Sequence, residues 1–287
     1  MVEAVKDEVQ RIILEEVWRW FDAVTDNIQT YAKQRDPRLG KENRMIKGFA
    51  GTAIELQDFD PAGLELRPLL ERQAKMECTQ LSVDVILDSI NFDRLTNVAV
   101  GQFLQALVHF VPSLSHYQKN VDQFYSAHVE ISPINPSRCT NIIPLATNSA
   151  DEMTPQGLKR GITDFLQTQM GITEDTLKGR VVIVSGDGKT FDMTHRTKKY
   201  VSMHTGDYES WRFIIPLLEL WHTKWTDLSR TIRASFGADY PLDPSTLNRL
   251  ASVAGILAPK DLKKVDFNTG SHLVDLALDA HLLVAWE

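Results

Sequence analysis

Cysteine is scarce in this chain: among 287 residues only Cys78 and Cys139 carry thiols, and no CxxC pair occurs. That excludes a disulfide framework and a cysteine-rich zinc module, and it fits a reducing compartment. Long apolar runs are missing as well. No stretch reaches the roughly 18 uninterrupted apolar residues of a membrane helix, and the opening MVEAVKDEVQ has acids where a secretory signal has an apolar core. A soluble, intracellular protein with no membrane partner is therefore expected. Nucleus and cytoplasm stay open, because no recognisable basic nuclear-localisation cluster is present.

Positive charge is not in excess either. The formal net charge is −7, which argues against broad, sequence-independent nucleic-acid binding, since counterion release needs clustered cations. One local cluster does exist: Lys189, His195, Arg196, Lys198 and Lys199. It is a candidate nucleic-acid patch, and its plainer reading is a solvated face.

What is present is an ordinary globular composition, with 43% hydrophobic and 24% charged residues. The length suits one elaborated domain spanning 1–287. Residues 3–17 read as an amphipathic helix through Val5, Val9, Ile12, Ile13 and Val17. Trp18–Ala32 fits either a continued helix or a strand entered near Asn27. Pro37 and Gly40 mark the basic stretch 33–44 as a connection between strands, and the small, apolar residues 45–57 fit a strand packed closely through Gly48 and Gly51. The fold class expected is mixed α/β. Sheet-forming parts occupy about 18–60 and 140–225, with a helical insertion at about 65–130 and helices at about 226–287. The apolar final run HLVDLALDAHLLVAWE reads as a helix that stops without a cap, as in a fragment.

The sharpest local signal is VVIVSGDGKT, residues 181–190. Val181–Val184 has the make-up of a strand buried on both faces, so Asp187 falls at its carboxyl end, where open α/β sheets keep their ligand crevice. A phosphate-binding loop is excluded, since GxxxxGK[ST] needs glycine at position 183, which is Ile, and FDMTHRTKKY is a weak helix opening. No nucleotide ligand of that kind is expected. Two readings of Gly186-Asp187-Gly188 remain: a hairpin turn, or a carboxylate offered to a divalent metal. Partners for such a metal would be Asp26, Asp151, Glu152 or His222. For Asp151 and Glu152 helix capping is the simpler role, and His222, between Trp221 and Trp225, suits a packed core. A serine hydrolase lacks its GxSxG elbow, and no HExxH zinc motif occurs.

The segments DNIQTYAKQRDPRLGKENRMIKGFAGTAIEL (26–56), IIPLATNSADEMTPQG (142–157), VVIVSGDGKT (181–190) and IIPLLELWHTKW (214–225) together resemble an uncharacterised fungal, basidiomycete family, the domain of unknown function numbered 6589. That family is associated with transposons and is similar to divergent ribonuclease-H-like DDE transposases. The resemblance implies a ribonuclease-H-like mixed sheet that presents acids to Mg²⁺ or Mn²⁺ for phosphodiester chemistry. Asp26 would be the first acid, Asp187 the second, and His222 the Trp-His histidine. It also implies DNA as a possible partner, through Lys189, Arg196, Lys198 and Lys199, and a third acid beyond Glu287. The expectation is thus a truncated, inactive remnant of a metal-dependent nuclease. A non-catalytic interaction scaffold is the alternative, and a small-molecule enzyme using Asp187, His195 and Lys189 a remoter one. Oligomeric state is not legible in the sequence.

Overall fold

Alternation is clearest along residues 47–56, where Phe49, Gly51, Ala53 and Glu55 are buried and the residues between them stay partly open. That period of two is what a strand imposes on its side chains. The computed structural model of the chain describes residues 20–32, 44–57, 59–129, 137–237 and 243–286. In chain order these form strands β1 (Trp20–Ala32) and β2 (Arg44–Leu56), then helices α1 (Leu66–Ala74), α2 (Val83–Asp88), α3 (Phe92–Phe110) and α4 (Gln118–Phe124). Strand β3 (Ile142–Pro144), helices α5 (Pro155–Thr163) and α6 (Glu174–Leu177), strand β4 (Val182–Gly186), helix α7 (Gly188–Val201) and strand β5 (Ile214–Leu218) follow. Helices α8 (Leu220–Ser235), α9 (Leu247–Ala254) and α10 (Phe267–Trp286) come last. The protein is of the mixed α/β class.

The five strands make one sheet in the order β3-β2-β1-β4-β5. β2 runs antiparallel to both β1 and β3, whereas β1, β4 and β5 are mutually parallel. The open choice for Trp18–Ala32 resolves as strand from Trp20 onward, because β1 pairs along its whole length with β2. The expected helix at 3–17 and the connection at 33–43 lie outside the described residues.

Close packing against β2 depends on Gly51. A Cβ there would come within 2.9 Å of the Phe165 ring, and Phe165 stacks on Phe49 with ring centroids 5.1 Å apart. The segment carrying Phe165 is a π-helical continuation of α5, Asp164–Gln169, and Gly171, at φ +70°, follows it as the residue type that suits a helix stop.

The chain divides into two compact units, residues 1–79 with 138–222, and residues 80–137 with 223–287. The first holds the sheet and a core that includes Phe49, Leu158, Ile162, Phe165, Met170, Val182, Val184 and Ile214. The second is helical. Its core gathers Ile232, Leu247, Ala251, Val265 and Leu273, and the Trp225 indole N–H donates to the Val265 carbonyl at 2.7 Å. Among the described residues no helix is long and apolar enough to cross a membrane.

Candidate functional site at the strand ends

β4 lies between two parallel neighbours, so Val182 and Val184 are buried and the chain leaves the sheet only after Gly186. A Cβ on Gly186 would sit 2.6 Å from the Thr190 side chain and 3.1 Å from the Thr25 carbonyl oxygen. Only glycine permits that approach. Asp187 is still extended, at φ −65° and ψ 176°, and its Oδ1 accepts the backbone N–H groups of Lys189 at 2.9 Å and Thr190 at 2.8 Å. It is the N-cap of α7. The hairpin reading of Gly186-Asp187-Gly188 is therefore corrected: β4 and β5 are parallel, and parallel strands need a crossover, which α7 supplies.

The weak helix opening at FDMTHRTKKY is corrected too. The threonines that lower its propensity point inward, with the Thr194 and Thr197 hydroxyls donating to the carbonyls of Thr190 and Met193. Burial of that face overrides the intrinsic preference.

Asp26 stands on the adjoining strand. The parallel register runs Asp22 to Ile183, Ala23 to Val184 and Val24 to Ser185. Contact persists one step further, because the Thr25 hydroxyl donates to the Ser185 carbonyl and the Thr25 carbonyl abuts Gly186. The strand pairing ends there: Asp26 continues β1 one residue past that contact, while Asp187 has left the sheet as the N-cap of α7. On the other side Gly186 pairs with Leu218, and the Glu219 N–H donates to the Gly186 carbonyl at 2.9 Å. Asp187 and Glu219 thus follow the ends of β4 and β5 directly, whereas Asp26 lies midway along β1. Sequence reasoning missed Glu219, whose only signal was its place one residue after an apolar run.

His222 joins this rim through Glu219. Its Nδ1 lies 2.7 Å from Glu219 Oε2, it is half-buried, and its ring meets Trp221 edge-on at 4.8 Å. The packed-core reading fits it poorly, since Trp221 is exposed.

The capping roles expected of Asp151 and Glu152 belong to another residue. Thr154 is the N-cap of α5, accepting from the Gly157 N–H. Asp151 accepts from the Met153 N–H and pairs with Lys47 at 3.0 Å, an interaction that holds its carboxyl below the usual range. Glu152 is only 3% exposed and accepts the Thr190 hydroxyl at 3.2 Å, so it supports the first turn of α7 directly behind Asp187.

Helix α7 distributes the basic residues unequally. Lys189, Arg196 and Lys199 fall within about 80° of one another around the helix, while Lys198 lies about 180° from Lys189. The first three are exposed, with Arg196 also paired to Asp192. Lys198 turns inward and donates to the Ile214 carbonyl, and burial pushes its ammonium down to about 8. His195 is exposed against Phe191.

Hard carboxylate oxygens are the donors that Mg²⁺ and Mn²⁺ prefer. Asp187 spends Oδ1 on the helix, and its Oδ2 accepts no hydrogen bond among the described residues. Among those residues no group of three or more His, Cys, Asp or Glu side chains converges on one point. The described residues form no closed cage for such an ion.

No curated protein and no solved structure matches this chain. A family described as being of unknown function, DUF6589, matches residues 76–287, about three quarters of the length. The matched part contains Asp187, Glu219 and His222 and leaves Asp26 outside. By that match the chain belongs to the family of unknown function DUF6589.

Proposed function

We propose that the sheet-bearing unit is a ribonuclease-H-like scaffold derived from a transposase, retaining Asp26 and Asp187 as a divalent-metal pair with little or no remaining phosphodiester chemistry. The observation that supports this reading is the parallel pairing of β1, which carries Asp26, with β4, which ends one residue before Asp187. The strand order β3-β2-β1-β4-β5, with β2 alone reversed, supports it, being the order expected of a ribonuclease-H-like core. The fungal, transposon-associated relatives that the motifs resemble point the same way.

Asp26 and Asp187 would hold the ion, and the chemistry a bound ion supplies is activation of water and charge neutralisation at phosphate. The residues of the chain do the rest. Glu219 orients His222 through the hydrogen bond between its Oε2 and the ring Nδ1. Glu152 and Thr190 keep the start of α7, and hence Asp187, in place. DNA is the proposed partner, lying along the open face of α7. Three phosphate contacts from Lys189, Arg196 and Lys199 would give a slope of about −2.7 in log affinity against log salt.

The test is Mn²⁺ titration of the full chain, read by loss of the free-ion electron paramagnetic resonance signal. Asp187→Asn preserves a capping oxygen and Asp26→Asn the size of the side chain, so each removes charge with little structural cost. Wild type should bind, with each variant at least tenfold weaker. Equal binding in all three, or none in any, would leave the non-catalytic interaction scaffold as the better account.

A further inference from the structure

Where the helical unit begins, every residue from Gln80 to Asp93 is exposed, and no side chain of α2 is buried. Within this stretch Val83, Ile86, Leu87 and Ile90 recur at the i, i+3, i+4, i+7 spacing that sets side chains on one helical face. They are 70%, 50%, 49% and 36% exposed. Phe92 and Leu95 share a face at the start of α3 and are 63% and 54% exposed.

The helices that carry these side chains are formed without any partner. Ser82 caps α2 by accepting the Val85 N–H at 3.2 Å, and the Ser89 hydroxyl closes it by donating to the Ile86 carbonyl at 2.7 Å. Asn91 then caps α3 by accepting the Arg94 N–H at 2.9 Å. An apolar face is thus held in shape, yet it adds nothing to the core of its own unit. Helices of this make-up are ordinarily covered.

The area says what size of partner would cover it. Together the named side chains leave on the order of 600 Å² uncovered, the upper end of what an ordinary monomer exposes in one patch. A standard interface takes about 800 Å² from each partner, and about 65% of a homodimer interface is apolar, or about 520 Å². The exposed surface matches the apolar part of one such interface.

Shape and charge narrow the choice of occupant. Exposure on every side makes α2 a ridge, which suits another helix laid beside it at about 8–10 Å and offers no concave wall to a small ligand. Asp84, Asp88 and Asp93 interrupt the apolar residues, with Arg94 the one cation of 81–95, whereas helices that lie on lipid surfaces have basic flanks. A second copy brings the same ridge and the same area, the condition for an isologous two-fold contact. We propose that residues 83–95 form the two-fold interface of a homodimer, with α2 of one chain lying against α2 of a second copy.

Sedimentation velocity of the full chain across protein concentration tests this. Wild type should pass reversibly from monomer to dimer with a midpoint at or below about 10 μM. Ile86→Asp and Leu87→Asp should each weaken dimerisation at least about tenfold at an unchanged circular dichroism spectrum, since both side chains are exposed in the single chain. Val253→Asp replaces an exposed apolar residue of α9 and should leave dimerisation unchanged, as should Asp187→Asn at the strand ends. Hydrogen exchange in 83–95 should slow as concentration rises through the midpoint. Raising salt from about 0.05 M to about 0.5 M should tighten the dimer, because the contact brings the aspartates of the two copies together. A monomer at every concentration, a dimer indifferent to Ile86→Asp and Leu87→Asp, a dimer weakened as much by Val253→Asp or loosened by salt, or monomer binding to phosphatidylcholine vesicles in place of dimerisation would each overturn the proposal.

Discussion

The two units handle apolar side chains differently. In the sheet-bearing unit, Val181, Val182 and Val184 are all buried, with α7 packed against β4 and Ile183 left partly buried. In the helical unit the run LSVDVILDSINF is equally apolar, yet Leu81, Val83, Val85, Ile86, Leu87 and Phe92 are exposed. None of the side chains of α2 is buried, whereas β4 is held between β1 and β5.

Mutations that trade on this contrast should differ in size. Phe165→Ala removes the ring packed on Phe49 and over Gly51, and should cost about 3–5 kcal/mol in denaturant unfolding. Thr190→Val deprives the buried Glu152 carboxylate of a donor and should cost about 1–3 kcal/mol. Asp187→Ala loses two capped N–H groups, for about 1 kcal/mol, whereas Asp187→Asn should cost a few tenths at most, about 0.3 kcal/mol. At the far end, Val83→Ser in the helical unit should stay within about 0.5 kcal/mol. A Val83→Ser variant as unstable as Phe165→Ala would break the comparison outright.

A pH experiment sharpens it. Burial holds Lys198 near 8 in the folded protein against an ordinary value of 10.5. Between those values the unfolded chain carries the extra proton, so the contribution of this group to stability rises with pH from about 8 to about 10.5 and is constant below. Urea midpoints across that window should climb more in wild type than in Lys198→Met. Parallel curves would mean that Lys198 is solvated after all.

Much of the fold was legible because its signals were local. Val181–Val184, the make-up of a buried strand, announced β4. The α7 helix was not legible, since Thr190, Thr194 and Thr197 disfavour helix until their hydroxyls find backbone carbonyls and their methyls a core. Asp187 was placed at the strand end, but its capping role depends on a helix that the propensities hid. Glu152 looked like a cap because it precedes α5; only tertiary packing brings it to Thr190. Glu219 carried no signal beyond its place after an apolar run, since register between β4 and β5 is a property of the assembled sheet.

The central claim is that Asp26 and Asp187 share one ion at the strand ends. Anomalous diffraction from a crystal of the full chain soaked in Mn²⁺ tests it most directly. A single peak contacted by carboxylate oxygens of both residues is the predicted result. A peak elsewhere, or carboxylates turned away from each other with no peak between them, would contradict it.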